Sequence, residues 1–305
     1  MSIIFFGTPS FSVPSLKALV DAGEDVSAVV TRPDKRRGRG GILPSLVKEY
    51  AIKNSIRVLQ PASMKDNEFL EELKSINPEF IVVVAFGRIL TNSILDVPKK
   101  YPINLHASLL PKYRGASPIA WAIINGEKET GVTTMVISER LDEGDMLLQE
   151  AVKIEEDDTT VSLARKLSGK GAGLLIETIA GVRNGKVKPR PQAGEPSFAP
   201  PFKKEDGRVD WSKSARRIFD FQRGMHPWPG AFCLIEGERV RLVKIKPVEG
   251  KGVPGVIKEA VGDSILIGAG DGFVSVLELQ PEGKKDMAAR AYMQGRSIKA
   301  GSKVG

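Results

Sequence analysis

The sequence predicts an α/β protein of two domains, a doubly wound and mostly parallel sheet followed by a small antiparallel barrel. Three observations carry this expectation. Apolar strands alternate with helical patterns through the first 180 residues, the arrangement that builds a parallel sheet with helices on both faces. A stretch rich in Pro and Gly then breaks the pattern between Asn184 and Phe202,. Beyond it lie five short apolar segments separated by Gly-containing turns, and 305 residues are enough for two cores,.

Ile3 to Phe6 reads as the first strand, and Gly7-Thr8-Pro9 leads into a helix over Pro14 to Ala22, capped by Ser12 and stopped by Gly23,. Val26 to Thr31 is the second strand. After an arginine-rich loop, Ser45 to Asn54 is helical, Arg57 to Leu59 is a short strand, Asn67 to Ser75 is helical, and Phe80 to Ala85 is a fully buried strand,. Pro102 to His106 is the next strand. A helix opens at Ser117 or Pro118 and runs to Asn125, Val132 to Ile137 and Met146 to Ala151 flank a turn, and a helix from Thr160 to Gly181 closes a Rossmann-like unit,. Gly7 opens no G-x-G-x-x-G, and no G-x-x-x-x-G-K-[ST] occurs, so a dinucleotide or NTP site of the usual type is disfavoured and Gly7 reads as a turn glycine.

These patterns set a first domain over 1–189, a semi-rigid linker over 190–206 and a second domain over 207–305,. The second holds a helix near Ser214 to Arg223 and strands at Ala231 to Ile235, Val240 to Lys246, Gly255 to Lys258, Ser264 to Ile267 and Val274 to Leu279. Five short strands suggest an OB-like barrel, an architecture that often binds oligonucleotides, although fold does not fix function.

With 41% hydrophobic and 27% charged residues the composition is that of an ordinary globular chain,. The first residues lack a basic leader and the longest apolar run, Phe80 to Phe86, is too short for a bilayer,, so a cytoplasmic protein without a membrane partner is expected. Cys233 is the only cysteine, which excludes an internal disulfide, and with two distant histidines it argues against zinc; no metal is expected. The net charge of +8 is unevenly spread. Residues 1–203 hold 27 Lys+Arg against 24 Asp+Glu, and residues 204–305 hold 18 against 13. Arg32 to Arg39 alone carries five positive charges and one negative.

The chemistry is expected around Ile103 to Gly115. Period-two alternation puts Asn104 and His106 on one strand face and Ile103 and Leu105 on the other, where a strand runs into a loop at the sheet edge that binds ligands. A lone histidine at a strand end is more often structural. Asn104 beside it, and the acidic turn Ser138-Glu139-Arg140-Leu141-Asp142-Glu143-Gly144-Asp145, supply an amide, an imidazole and a carboxylate for acid–base work on an acyl centre. Sequence pattern does not choose among the four carboxylates of that turn, and an acidic turn by itself is usually a solvated face. Ser108 as a covalent nucleophile has no strained G-x-S-x-G setting.

Asn104-Leu105-His106, Ser108-Leu109-Leu110-Pro111-Lys112-Tyr113-Arg114-Gly115 and Leu141-Asp142-Glu143-Gly144-Asp145 resemble the formyltransferases that use 10-formyltetrahydrofolate. Phe6-Gly7-Thr8-Pro9, Gly38-Arg39-Gly40, Val84-Ala85-Phe86-Gly87, Trp211, Pro227-Trp228-Pro229 and Leu279 to Lys285 extend the resemblance over both domains, to the branch that acts on tRNA. The resemblance implies formyl transfer from 10-formyltetrahydrofolate to the amino group of initiator methionyl-tRNA by a monomer, for translation initiation. It implies Asn104, His106 and Asp142 as catalytic, with Asp142 fixing the His106 tautomer. It further implies Ser108, Leu109, Leu110 and Pro111 lining the folate pocket, and the backbone of Phe86, Gly87, Arg88, Ile89 and Leu90 holding the pterin. Arg36, Arg37 and Arg39 would enter the acceptor stem while the barrel grips the tRNA backbone. One stretch departs from the family pattern: Pro200-Pro201-Phe202 stands where a lysine usually follows the Phe198-Ala199 position, with Lys203 or Lys204 as stand-ins. The alternatives are a formyltransferase for a small amine, such as an amino sugar nucleotide or glycinamide ribonucleotide, and a non-catalytic RNA-binding protein.

Overall fold

Continuous apolar runs become the inner strands of a sheet covered on both faces, as parallel sheets require. The computed structural model describes residues 2–36, 42–294, 296 and 298–305. It divides into two compact units, Met1–Pro118 with Glu129–Lys153 and Ala164–Pro200, and Ile119–Lys128 with Ile154–Leu163 and Pro201–Gly305.

In chain order the first unit contains β1 (Ser2–Gly7), α1 (Val13–Asp21), β2 (Asp25–Val30), β3 (Lys35–Arg36), β4 (Ile42–Leu43), α2 (Leu46–Lys53), β5 (Arg57–Leu59), α3 (Asn67–Ile76), β6 (Phe80–Val84), α4 (Asn92–Leu95) and β7 (Tyr101–His106). Helix α5 (Pro118–Ile124) is followed by β8 (Glu129–Val136), β9 (Met146–Lys153) and α6 (Thr160–Arg183). The main sheet has the order β5-β2-β1-β6-β7-β8-β9. Its first five members run parallel, β8 runs antiparallel to β7, and β9, antiparallel to β8, runs in the direction of the first five. The chain winds from β1 outward to β5 and then reverses to β6 and β7, so the switch point lies between β1 and β6, where open α/β sheets place their sites. Ile4, Phe6, Ala28, Val30, Ile81 and Val83 form one buried face with Phe69 and Leu73 of α3, while Ile3, Phe5, Val29, Val82 and Val84 are buried on the other.

Two local expectations change. Gly7 is required by close packing rather than by turn conformation, because a Cβ there would lie 2.7 Å from Phe5 Cε1 and 2.8 Å from Ser12 Cβ. Ser12 precedes α1 but caps nothing with its side chain; its hydroxyl donates to Val84 O at 2.6 Å, tying the helix entry to the end of β6.

The second unit contains α7 (Ala215–Met225), β10 (Phe232–Ile235), β11 (Glu238–Glu249), β12 (Ile257–Val261), β13 (Ser264–Ala269), β14 (Gly272–Pro281), β15 (Met287–Ala288) and α8 (Ala289–Gln294). The antiparallel order is β10-β11-β14-β13-β12, with β15 on β14. The last residues join the two edge strands: Leu234 and Gly305 exchange backbone hydrogen bonds of 2.7 and 2.9 Å, and Ile257 N donates to Ser302 O at 2.9 Å. This covers the open edges of the curled sheet, as a small barrel must. Cys233 sits fully buried in its core, and burial pushes the thiol up to about 12. Only the thiolate reacts, so the folded protein should leave Cys233 unlabelled by a thiol reagent at neutral pH and release it on unfolding; labelling at the rate of a free thiol would contradict this packing. Among the described residues no helix is long and apolar enough to cross a membrane.

Candidate active site

Strand β7 carries the site because its alternation sends Asn104 and His106 to the same face at the carboxyl edge of the sheet,. His106 is 6% exposed. Its Nε2 lies 3.0 Å from the carbonyl oxygen of Tyr113, and its Nδ1 lies 3.6 Å from Asp142 Oδ2. A carbonyl only accepts, so Nε2 is a donor and Nδ1 is the atom that faces the carboxylate. Asn104 is half-buried, and pairs through its backbone between Val83 and Met135.

The acidic turn resolves into separate roles. Asp142 alone of its four carboxylates reaches His106, and it also accepts from Gly115 N at 2.8 Å. Glu143 pairs with Arg114 at 3.2 Å and Arg140 at 3.6 Å, Glu139 accepts from Asn92, and Asp145 is exposed. Asp142 has a φ of 54°, the left-handed region that Asp tolerates better than most residues. Gly144 is needed two residues on, since a Cβ there would collide with the carbonyl oxygen of Val136.

The expected pocket residues divide into two groups. Ser108 is fully buried and its hydroxyl donates to Lys112 O at 2.6 Å, so it is committed to holding the loop. Leu110 packs with Met135 and Met146, and Phe86 packs edge-on against Phe6 at 5.2 Å between ring centroids. The side chains of Ser108, Leu110 and Phe86 therefore point into the fold, and these residues offer only main chain at the edge. Leu109 and Pro111 are half-buried. Leu90 is buried, Arg88 donates to Pro61 O and Ala62 O at 3.0 and 3.1 Å, and Ile89 stands 86% exposed. Gly87, at φ 74°, has its carbonyl engaged by the Arg32 guanidinium.

Arg32 thus leaves the cationic set counted for the basic loop: it is tied to the 86–90 loop and to Thr8. Asp34 beside it pairs with Lys48 at 2.6 Å and accepts from Gln60 at 2.9 Å; the hydrogen bonds from Lys48 and then Gln60 hold its carboxyl below the usual range. Arg36 lies in β3, paired through Ile42. Arg37 and Arg39 lie outside the described residues. Among the described residues no group of three or more His, Cys, Asp or Glu could hold a metal ion.

Composition does not point to the residues that brace this site. Residues 190–199, expected to be a linker, run along the first unit instead: Met146 and Arg190 exchange two backbone hydrogen bonds, and Arg114 does the same with Ser197 and Ala199. Gln192 and Ser197 come from this stretch and touch the loop after β7 and the acidic turn. No local pattern marks them, because their partners are 48 to 84 residues away.

Residues 1–179 match the formyl transferase family, and residues 201–297 match the formyl transferase C-terminal domain. The methionyl-tRNA formyltransferase of Thermodesulfovibrio yellowstonii is 51% identical over 98% of this chain and 97% of its own length. That of Caldanaerobacter subterraneus is 48% identical over 99% of both. Among solved structures, an N-formyltransferase from Helicobacter canadensis in complex with folinic acid and dTDP-3-aminofucose matches with a TM-score of 0.70 at 22% identity, over 92% of this chain and 98% of its own. A methionyl-tRNA formyltransferase from Clostridium thermocellum matches at 0.57 and 18%, over 82% and 95%. At these identities the structural matches speak for the fold alone.

Proposed function

The chain belongs to the methionyl-tRNA formyltransferase family, and from that premise we propose that it transfers the formyl group of 10-formyltetrahydrofolate to the free amine of the methionyl moiety of initiator methionyl-tRNA, in the cytoplasm, for translation initiation. The observation that carries the reading is the meeting of Asp142 with His106, 3.6 Å apart, on the strand face that also bears Asn104. The donor supplies the formyl carbon. Ile89 and the main chain of residues 86–90 fit the flat ring of such a donor, offering an exposed apolar surface at the carboxyl edge of β6.

The acceptor needs no protein nucleophile, since an α-amine titrates at about 7.7 to 8.0 and is partly neutral near pH 7. Ser108, with its hydroxyl committed to Lys112 O, is not needed. The new C–N bond forms at the formyl carbon, the bond to the folate nitrogen breaks, the amine loses one proton and the folate nitrogen gains one. Negative charge on the formyl oxygen is met by preorganised donors. Asn104 supplies the side-chain amide. His106 supplies the second donor through Nδ1 when both ring nitrogens carry a proton, since Nε2 is held by the Tyr113 carbonyl at 3.0 Å and the Nδ1 contact at 3.6 Å is the looser one,. Asp142, fixed by Gly115 N–H, faces Nδ1 and orients the ring,.

Incubation with formyl-labelled 10-formyltetrahydrofolate and each acceptor tests the assignment. Label is expected on methionyl-tRNA; label only on a small amine, or on none, overturns it. For the basic loop, Arg36, Arg37 and Arg39 are proposed to contact phosphates, each steepening the log–log salt dependence of tRNA binding by about 0.7 to 0.9. Arg39 is flanked in sequence by Gly38 and Gly40, residues with no side chain to keep a ligand at a distance. Arg39→Ala should raise the tRNA KM or lower kcat/KM with folate affinity unchanged, and joint replacement of Arg36 and Arg37 should flatten the salt slope. Formylation rates against tRNA at several salt concentrations check this; identical behaviour of parent and variants would leave tRNA binding to the second unit.

A further inference from the structure

One side chain outside the catalytic trio joins the two loops that the trio depends on. Gln192 Nε2 donates to Asp142 O at 2.7 Å and to Gly144 O at 2.9 Å. Its Oε1 accepts from Arg114 Nε at 3.1 Å and Nη2 at 2.7 Å. Arg114 is the residue before Gly115, whose N–H holds the Asp142 carboxylate at 2.8 Å, and its Nη1 reaches Glu143 at 3.2 Å. The amide of Gln192 is thereby fully engaged, its donors on the acidic turn and its acceptor on the loop after β7.

Asp142 stands on a turn between β8 and β9, His106 on the end of β7, and their 3.6 Å separation depends on how the turn sits against the loop. Asp142 is in a left-handed conformation at φ 54°, and its carbonyl in that conformation accepts from Gln192 Nε2. We propose that Gln192 is a positioning residue of the transferase reaction, which sets the Asp142–His106 distance by clamping the Asp142 backbone to Arg114. The inference rests on the proposed role of Asp142. Residues 190–199 then act as a mechanical strap across the site. Ser197 accepts from Tyr113 N at 2.9 Å through its hydroxyl and from Arg114 N at 2.9 Å through its carbonyl, so the same strap holds both sides of the His106 contact.

Gln192→Glu keeps the volume and the acceptor for Arg114 but replaces the donors with an oxygen facing two carbonyls. It separates donation from packing. Displacement of a catalytic group by about 1 Å can cost on the order of a hundredfold, so Gln192→Glu and Gln192→Ala are each expected to lower kcat about tenfold to a hundredfold, with the formyl-donor KM within about twofold. The decisive measurement repeats Gln192→Ala in an Asp142→Asn background. A residue acting through Asp142 has little left to lose there, so the second loss should shrink to under about twofold. Parental kcat in Gln192→Glu, or an equal loss with and without Asp142, overturns the proposal. If Asp142→Asn alone keeps parental kcat, the role of Asp142 fails first, a result distinguishable from failure of Gln192.

Discussion

Replacing His106 with alanine should lower kcat by a hundredfold or more while leaving the formyl-donor KM nearly unchanged, and Asn104→Ala should lower it by about a hundredfold. Loss of one preorganised oxyanion donor costs on the order of 3 kcal/mol. In the proposed mechanism Asn104→Ala removes one such donor, from a half-buried strand position. His106→Ala removes more. It strips the Tyr113 carbonyl of its donor at 3.0 Å and leaves the Asp142 carboxylate with only Gly115 N–H as a described partner. Binding contacts formed equally in ground and transition states are untouched, so the loss falls on kcat rather than KM. Single-turnover formylation with saturating donor and acceptor reads the effect directly. A His106→Ala enzyme with parental turnover would remove the histidine from the mechanism.

The second large effect lies in the carboxy-terminal unit and concerns stability. Asp220 and Arg223 on α7 are both almost fully buried, with Arg223 Nη2 at 2.5 Å from Asp220 Oδ1. Arg223 Nη1 donates to Asp158 O at 2.6 Å and Glu155 O at 3.2 Å, and Arg216 Nε donates to the other Asp220 oxygen at 3.1 Å. Arg223 also lies over the Phe219 ring. Breaking a buried pair from one side strands an uncompensated charge, at a cost of about 3–5 kcal/mol. Because total stabilities are only about 5–15 kcal/mol, Asp220→Ala is expected to lower the urea midpoint strongly or to prevent folding, whereas Asp220→Asn, which keeps an acceptor, should lose less. An unchanged midpoint for Asp220→Ala would mean that Arg223 finds water or another partner.

Legibility differed between these two sites for a physical reason. Strand β7 could be read from sequence because period-two alternation is local: four consecutive positions decide that Asn104 and His106 share a face and that Ile103 and Leu105 are buried. The α7 helix could be read for its extent, yet its polar residues face inward against Glu155 and Asp158, some 65 residues earlier. An amphipathic pattern places polar residues in water unless a distant partner exists, and no window of sequence contains that partner. The same limit explains Gln192, whose Pro- and Gly-rich neighbourhood suggests a spacer while its hydrogen bonds reach Asp142 and Gly144.

What the chain determined alone was periodic and near-neighbour: the strands and helices, the doubly wound sheet with its following barrel, the position of His106 at a strand end, and a motif specific enough to name a family. Tertiary structure decided what depends on long loop closures. It selected Asp142 from four carboxylates, turned Ser108 and Phe86 inward, drew Arg32 onto Gly87, and folded residues 190–199 against the site. Side-chain direction along a strand follows from covalent geometry two residues at a time. The partner of a turn carboxylate or a linker amide is settled only when segments tens of residues apart are packed, because that packing fixes which polar group has a donor or acceptor within about 3 Å.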